Sequence, residues 1–390
     1  MAIETHPIQY HAPVYRALQS HFGVPVTAIY ASDCSIAGYR DRELGASFRW
    51  DTDLLSGYTA AFLSTVAQGG AQTAEGASAR GLRTALRAAA PSAILLTGYS
   101  PRFYQRAWVA ALSTRRPLLL RAETTDHAQS RGPARHWMRS AALAPLYRAC
   151  ARLLYVGRRS FDHFRRLGVP ENKLVLSPYC VDTHAFACGE PARSRLRPAT
   201  REMLGIPATH TVILFSGKLS PRKAPDLLLR AVASLPLETR ELLTVVFLGD
   251  GELRGALARL AAEIGVGARS VGFRNQSELS PYYHAADLLA LPSLHSETWG
   301  LVVNEALHHG LPSVVSDAVG CAPDLIEPGV TGEIAAAGSA ASLAAAIARM
   351  LPLTGRPDIR ARCREKIAGY TVEKAAAGIA QAFHAVVRRP

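Results

Sequence analysis

The chain has 390 residues, of which 48% are hydrophobic, enough apolar material for two ordinary cores. No apolar stretch approaches the roughly 20 residues that span a bilayer, and no secretory signal opens the chain. The net charge is +13, and the six cysteines form no Cys-x-x-Cys pair and no grouping with histidine. That pattern excludes a disulfide scaffold and a zinc site, and predicts reduced thiols in a cytoplasmic protein.

In chain order, Pro25–Ala31, Tyr58–Leu63, Ala93–Thr97, Pro117–Arg121, Arg152–Val156 and Lys173–Leu176 read as strands. Arg102–Ser113 and Arg158–Leu167 between them read as helices. A first strand over Met1–Thr5 begins at the first residue, which implies a short strand or a start further upstream. The loop after it, His6 to His11, contains no glycine, and its sequence does not say which polar side chain faces a cleft. In the second half, strands near 211–215, 243–248, 269–273, 287–291 and 312–315 alternate with helices in the same way. Alternation of this kind implies parallel sheets with right-handed crossovers, and twice over it implies an α/β chain of two Rossmann-like domains. The boundary is expected in 187–200, where Cys188–Pro191 and Arg193–Pro198 break periodicity. This gives domains at 1–186 and 201–370 and a terminal helix within 371–390. No internal repeat is evident, and the alanine-rich stretch 335–346 is helix-compatible.

The charge is uneven. Residues 1–190 hold 22 Lys and Arg against 13 Asp and Glu, and residues 191–390 hold 22 against 18. Arg131, Arg135 and Arg139 share one helix face, and Arg158, Arg159, Arg165 and Arg166 bracket the next helix. Such a face suits an anionic membrane or phosphate-bearing acceptor, or is a solvated surface. No aromatic-interleaved basic motif points to nucleic acid.

Two glutamates with seven residues between them, Glu297 and Glu305, stand at a strand-to-helix turn. Ala286–Ser293 reads as a buried strand and its loop, and Trp299–His309 as a helix. Eight positions along a helix span roughly 12 Å, about the distance from the sugar ring to the ribose of an extended nucleotide sugar. The helix N-terminus between the carboxylates suits a diphosphate, and Gly300 lets backbone approach it. One carboxylate can then accept from sugar hydroxyls and the other from ribose hydroxyls.

This segment resembles the Glu-x(7)-Glu signature of family-four retaining glycosyltransferases, which have the GT-B fold. Similarity extends through Phe215–Leu219, Lys223, Leu248–Leu253, Ser293–Glu305, Gly310–Asp317 and Gly329–Gly332. It covers most of residues 200–340, in the family's order, and the first half is matched more loosely. The resemblance implies two Rossmann-like doubly wound domains facing a central cleft, with the terminal helix packing back on the first. It implies donor contacts at Gly217, Lys218, Lys223, Gly249, Glu297, Gly300, Leu301, Val302 and Glu305. Glu305 would bind ribose, Glu297 the donor sugar, and Lys218 and Lys223 the diphosphate, stabilising the leaving nucleotide. Only five lysines occur against 39 arginines, and two of the five fall in this one loop. No covalent nucleophile is implied, the leaving phosphate helping to deprotonate the acceptor hydroxyl.

Acceptor contacts are expected from first-domain loops. Ala122–His127 offers Glu123, Asp126 and His127, with His127 read either as a contact of the reacting carbon or as an ordinary exposed histidine; Tyr99 is a further candidate. Asp51-Thr52-Asp53 matches the Asp-x-Asp metal motif of the other major glycosyltransferase fold, but lies far from every donor motif. It reads as an N-cap or loop surface, so no metal or other cofactor is expected. The expected activity is metal-independent, retaining transfer of a sugar, a UDP-sugar foremost, to a glycan, lipid-linked or small-molecule acceptor. Contact of the basic first domain with an anionic membrane is an added possibility. The alternatives are a GT-B sugar-nucleotide epimerase or phosphorylase, and a non-catalytic nucleotide-sugar-binding protein.

Overall fold

The computed structural model describes residues 1–40, 47–48, 50–127 and 132–387. Its strands, in chain order, are β1 (Ala2–Glu4), β2 (Thr27–Tyr30), β3 (Tyr39–Arg40), β4 (Ser47–Phe48), β5 (Thr59–Phe62), β6 (Ile94–Leu96), β7 (Leu118–Ala122), β8 (Arg152–Tyr155) and β9 (Leu174–Leu176). Then follow β10 (Thr211–Ser216), β11 (Leu243–Leu248), β12 (Ala268–Gly272), β13 (Leu288–Leu291), β14 (Ser313–Ser316) and β15 (Gly332–Ala335). The first sheet has seven strands in the order β5-β2-β1-β6-β7-β8-β9, and the second six, β12-β11-β10-β13-β14-β15. Every pairing within these two sheets is parallel. Parallel sheets are covered on both faces, which is why every residue of β11 and β13 is buried and only Thr244 interrupts their apolar runs. Their covering helices are amphipathic: in Arg102–Ser113, Phe103, Tyr104, Ala107, Trp108, Ala110 and Ala111 turn inward at helical spacing. The strand order reverses beside β1 in one sheet and beside β10 in the other, and ligands in such folds gather at those points.

Two elements differ from the sequence reading. Residues 190–203, expected as a broken segment, form a helix with Pro198 inside it. Its Arg193, Arg197 and Arg201 lie four residues apart on one face. Arg197 and Arg201 hold the Asp287 carboxylate at 2.7 and 2.5 Å, and the three arginines together take the carbonyls of His284, Ala285 and Ala286. This converging charge holds the helix where proline disfavours one. Strand β15 was not expected, because Gly332-Glu333-Ile334-Ala335 is too short and mixed to show a period. The alanine-rich helix begins only at Ala340.

The two halves meet directly. The last helix, Val372–His384, packs on the first-domain helix Ala12–Phe22. Asp324 accepts from the Arg158 backbone N–H at 2.9 and 3.1 Å, so a second-domain carboxylate caps the first-domain helix Arg158–Arg166. Arg159 reaches the carbonyls of Asp317 and Ala318. Arg165 bonds the Val169 carbonyl and Arg158 pairs with Asp162, so this arginine group is engaged within the fold. Arg131 lies outside the described residues, and Arg135 is exposed. Among the described residues no helix is long and apolar enough to cross a membrane. Cys188 is exposed and the other five cysteines are buried and free.

Candidate active site in the interdomain cleft

A cavity of 280 Å³ opens at the carboxyl ends of β10 to β13, opposite the loop that follows β1. Ser216, Gly217 and Lys218 line it after β10, Leu248 and Gly249 after β11, and Phe273 and Arg274 after β12. Val302 and Glu305 come from the helix Leu301–His308. Gly249, at φ 143°, crosses so near the first loop that a β-carbon there would lie 1.9 Å from the Gly217 carbonyl oxygen. Glycine is required at that crossing. Gly300, at φ 102°, turns the chain into the helix.

Glu305 is buried at the inner wall. The Tyr283 hydroxyl donates to it at 2.5 Å and is itself 3.1 Å from the Ser216 hydroxyl. Burial pushes its carboxyl up to about 7, against the pull of that one hydrogen bond. The His309 ring stacks on Tyr283 with centroids 5.0 Å apart, and burial lowers it to about 3, so it packs as a neutral ring.

Glu297 lies at the other end of the motif. Its carboxylate is bonded to the Lys223 ammonium and accepts from the Ser293 hydroxyl at 3.0 Å. Two non-glycine residues in the left-handed region, Ala224 at φ 49° and Ser296 at φ 58°, flank this pair. Backbone of that kind is held by its surroundings and concentrates at functional sites. Lys223 was expected on the diphosphate; in this arrangement it holds the carboxylate instead, and Lys218 is the lysine that lines the cavity. Leu301 sits beside Val302 at the helix start and is half-buried.

The intervening motif residues serve the domain contact. The Trp299 indole N–H donates to the Asn304 side-chain oxygen at 2.8 Å, and the Asn304 amide donates to the Tyr179 carbonyl of the first domain at 3.1 Å. Thr298 hydrogen-bonds Glu123. Burial raises the Glu123 carboxyl, and the charge of Glu297 adds to the rise, while Thr298, His11 and Arg121 oppose it. Glu123, in the loop after β7, therefore faces Thr298 and Glu297 of the second domain.

Its neighbours in that loop do not. Asp126 is held by His163 at 2.9 Å, Arg166 at 2.7 Å and Arg139 at 3.1 Å. Although burial opposes it, these partners keep its carboxyl below the ordinary range. Its oxygens are committed to an ion network inside the first domain, which corrects its assignment to an acceptor. His127 is exposed, and its backbone N–H is bonded to the Thr125 hydroxyl. Tyr99 accepts from Arg139 at 3.0 Å and packs on the first-domain core. Neither His127 nor Tyr99 lines the cavity.

The imidazole whose charge acts on Glu123 is that of His11. Its Nδ1 is 2.8 Å from the buried carboxylate of Glu4, which also accepts from Tyr15, from Thr97 at 2.9 Å and from Tyr104 at 3.0 Å. Burial alone would raise Glu4; the attraction of His11 and these hydrogen bonds pull it below its ordinary value. Gln9 and Tyr10 of the same loop line the cavity. Sequence reasoning missed this group, although Glu4 on an otherwise apolar strand was a visible signal. Of the paired aspartates, Asp53 caps its own turn through Leu55 and Ser56, whereas Asp51 is bonded to Ser277 of the other domain.

Solved proteins share this architecture along the whole chain. HepE from Anabaena, in complex with UDP and glucose, superposes with a TM-score of 0.70 at 18% identity, covering 99% of this chain and 100% of that one. Sucrose-phosphate synthase from Thermosynechococcus elongatus does so at 0.71 and 18%, covering 99% and 98%. The fold is GT-B, two Rossmann-like domains facing a cleft. Residues 197–368 match the family model of glycosyl transferases group 1. D-inositol 3-phosphate glycosyltransferase of Mycobacterium leprae is 39% identical over 194 residues, 48% of this chain and 42% of that protein. Its counterpart in Mycobacterium tuberculosis is 38% identical over 191 residues, 47% and 37% of the two chains. The match spans less than half the length of these curated relatives.

Proposed function

We propose that the protein is a retaining glycosyltransferase that takes a sugar from a nucleoside diphosphate donor, a UDP-sugar foremost, without a metal ion. The acceptor is a hydroxyl of a glycan, a lipid-linked sugar or a small molecule. The observation that carries this reading is the cavity bounded by Lys218, the start of the helix Leu301–His308 and Glu305. Lys218 and the helix N-terminus neutralise a diphosphate, and Glu305 accepts from the ribose hydroxyls. The donor sugar then extends toward Glu297, whose carboxylate Lys223 and Ser293 orient for the sugar hydroxyls. Glu123, raised by burial and by Glu297, faces the acceptor side and can donate or accept a hydrogen bond there. As the glycosidic bond breaks, charge gathers on the diphosphate beside Lys218, where a preorganised cation lowers the barrier. The leaving phosphate receives the acceptor proton from the same face, which keeps the anomeric configuration. UDP bound to the structural neighbour HepE supports uracil as the first base to test.

Thermal-shift screening against UDP-, GDP-, ADP- and TDP-sugars tests the donor class. A ligand at 100 times its dissociation constant adds roughly 2.7 kcal/mol of stability. Stabilisation by none of them would remove the reading. Incubation with donor alone separates transfer from epimerisation, because an epimerase converts the sugar with no acceptor present.

A further inference from the structure

Asp51 belongs to the first domain, between β4 and β5, yet its carboxylate lies across the cleft. It accepts from the backbone N–H of Ser277 at 3.2 Å and from the Ser277 hydroxyl, in the short helical turn Gln276–Glu278 of the second domain. The segment that carries it has a defined shape. Asp53 accepts from the N–H groups of Leu55 at 3.0 Å and Ser56 at 3.1 Å, and Arg16 grips the carbonyls of Asp53 and Ser56 at 2.8 and 3.2 Å.

Trp50, next to this anchor, packs against the first-domain core on one side and lines the donor cavity on the other. Gln276, next to Ser277, lines the same cavity, as does Gln9 of the first domain. Both glutamines are more than nine-tenths buried, and the side-chain oxygen of each has no hydrogen-bond partner. Buried amide oxygens without partners are costly unless a ligand supplies donors. Phe273, Arg274 and Glu305 line the same cavity.

We propose that residues of both domains recognise the donor nucleobase here. Trp50 covers the base, Gln9 and Gln276 accept from its N–H groups, and the Asp51–Ser277 contact latches the Trp50 segment in place. The base class is one that presents ring or exocyclic N–H donors on its outer edge. The proposal rests on the donor-site reading above and adds that base selection is completed only when the first domain is closed on the second.

Calorimetric titration of UDP, GDP and ADP into the full chain and its variants tests this. The wild type is expected to prefer one of the three. Asp51→Ala and Trp50→Ala should weaken that nucleotide about tenfold, about 1.4 kcal/mol, and bring the three affinities close together. Trp50→Phe should retain the preference, since a stacking face remains. Asp51 is exposed, so its variant stays informative if Trp50→Ala fails to fold. Unchanged affinity and preference in Asp51→Ala would overturn the latch while leaving the donor site standing. Binding of none of the three nucleotides by the wild type would overturn both.

Discussion

The Lys223 ammonium and the Glu297 carboxylate are bonded to each other inside the cleft, between two residues held in the left-handed region of backbone space. Each is the other's charge partner, and Ser293 supplies a further hydrogen bond to the carboxylate.

Removing one member of the pair should therefore cost stability as well as activity. Lys223→Ala leaves a buried carboxylate beside Glu123 and is expected to destabilise by about 3 kcal/mol. The double variant Lys223→Met, Glu297→Leu should recover stability in thermal denaturation, because neither charge remains, yet show no transfer. Recovery of transfer by the double variant would exclude Glu297 from sugar binding.

Lys218 lines the cavity, and in the proposed reaction the departing diphosphate would gather charge beside it. Lys218→Ala should remove a contact worth about 1.5–3 kcal/mol, with kcat falling more than donor affinity. A raised KM at unchanged kcat would confine Lys218 to ground-state binding.

Glu305 gives a pH dependence whose direction is fixed. Its carboxyl titrates near 7 in the folded chain, against 4.5 ordinarily. Between those values the folded chain holds a proton that the unfolded chain has lost, so stability falls as pH rises from about 4.5 to about 7 and is level above. The loss is on the order of 3 kcal/mol, and Glu305→Gln should not show it. An ionised carboxylate is the better acceptor for ribose hydroxyls, so nucleoside diphosphate affinity should drop below pH 7 more steeply in wild type than in Glu305→Gln. Glu297→Gln should bind the nucleoside diphosphate nearly as wild type does while losing transfer. The reversed pattern in calorimetry would exchange the ribose and sugar assignments.

Transfer should survive excess EDTA if, as proposed, a lysine and a helix N-terminus neutralise the diphosphate. Activity lost to EDTA and restored by Mn²⁺ would refute the metal-free mechanism.

The sheet strands of both halves were legible because buried parallel strands are continuous apolar runs, and Val212–Phe215 or Leu288–Leu291 have few other readings. Strand β15 was not, since four mixed residues at a sheet edge carry no period. The helix over 190–203 was hidden because its stability comes from Asp287 and the carbonyls of 284–286, about ninety residues away. In the site, the spacing of Glu297 and Glu305 was visible, since a single turn and helix carry both. The union of Lys223 with Glu297 was not, nor the capture of Asp126 by two arginines and His163, because each depends on side chains from separate elements. His11 was missed although Glu4 ends the strand just before its loop; its link to Glu123 was hidden because Glu123 comes from the distant loop after β7.

The Asp324 cap on the Arg158 N–H has a mechanical consequence. It fastens the two domains at one corner, where Trp299 also lies so close to Gly157 that a β-carbon there would approach the ring to 2.3 Å. A second tie, the Asp51 carboxylate on Ser277, joins the halves through exposed side chains, so water and salt that reach it compete there. The ring packed on Gly157 leaves no room for any side chain at that position. The halves are thus fastened in two ways, once by shape and once by charge.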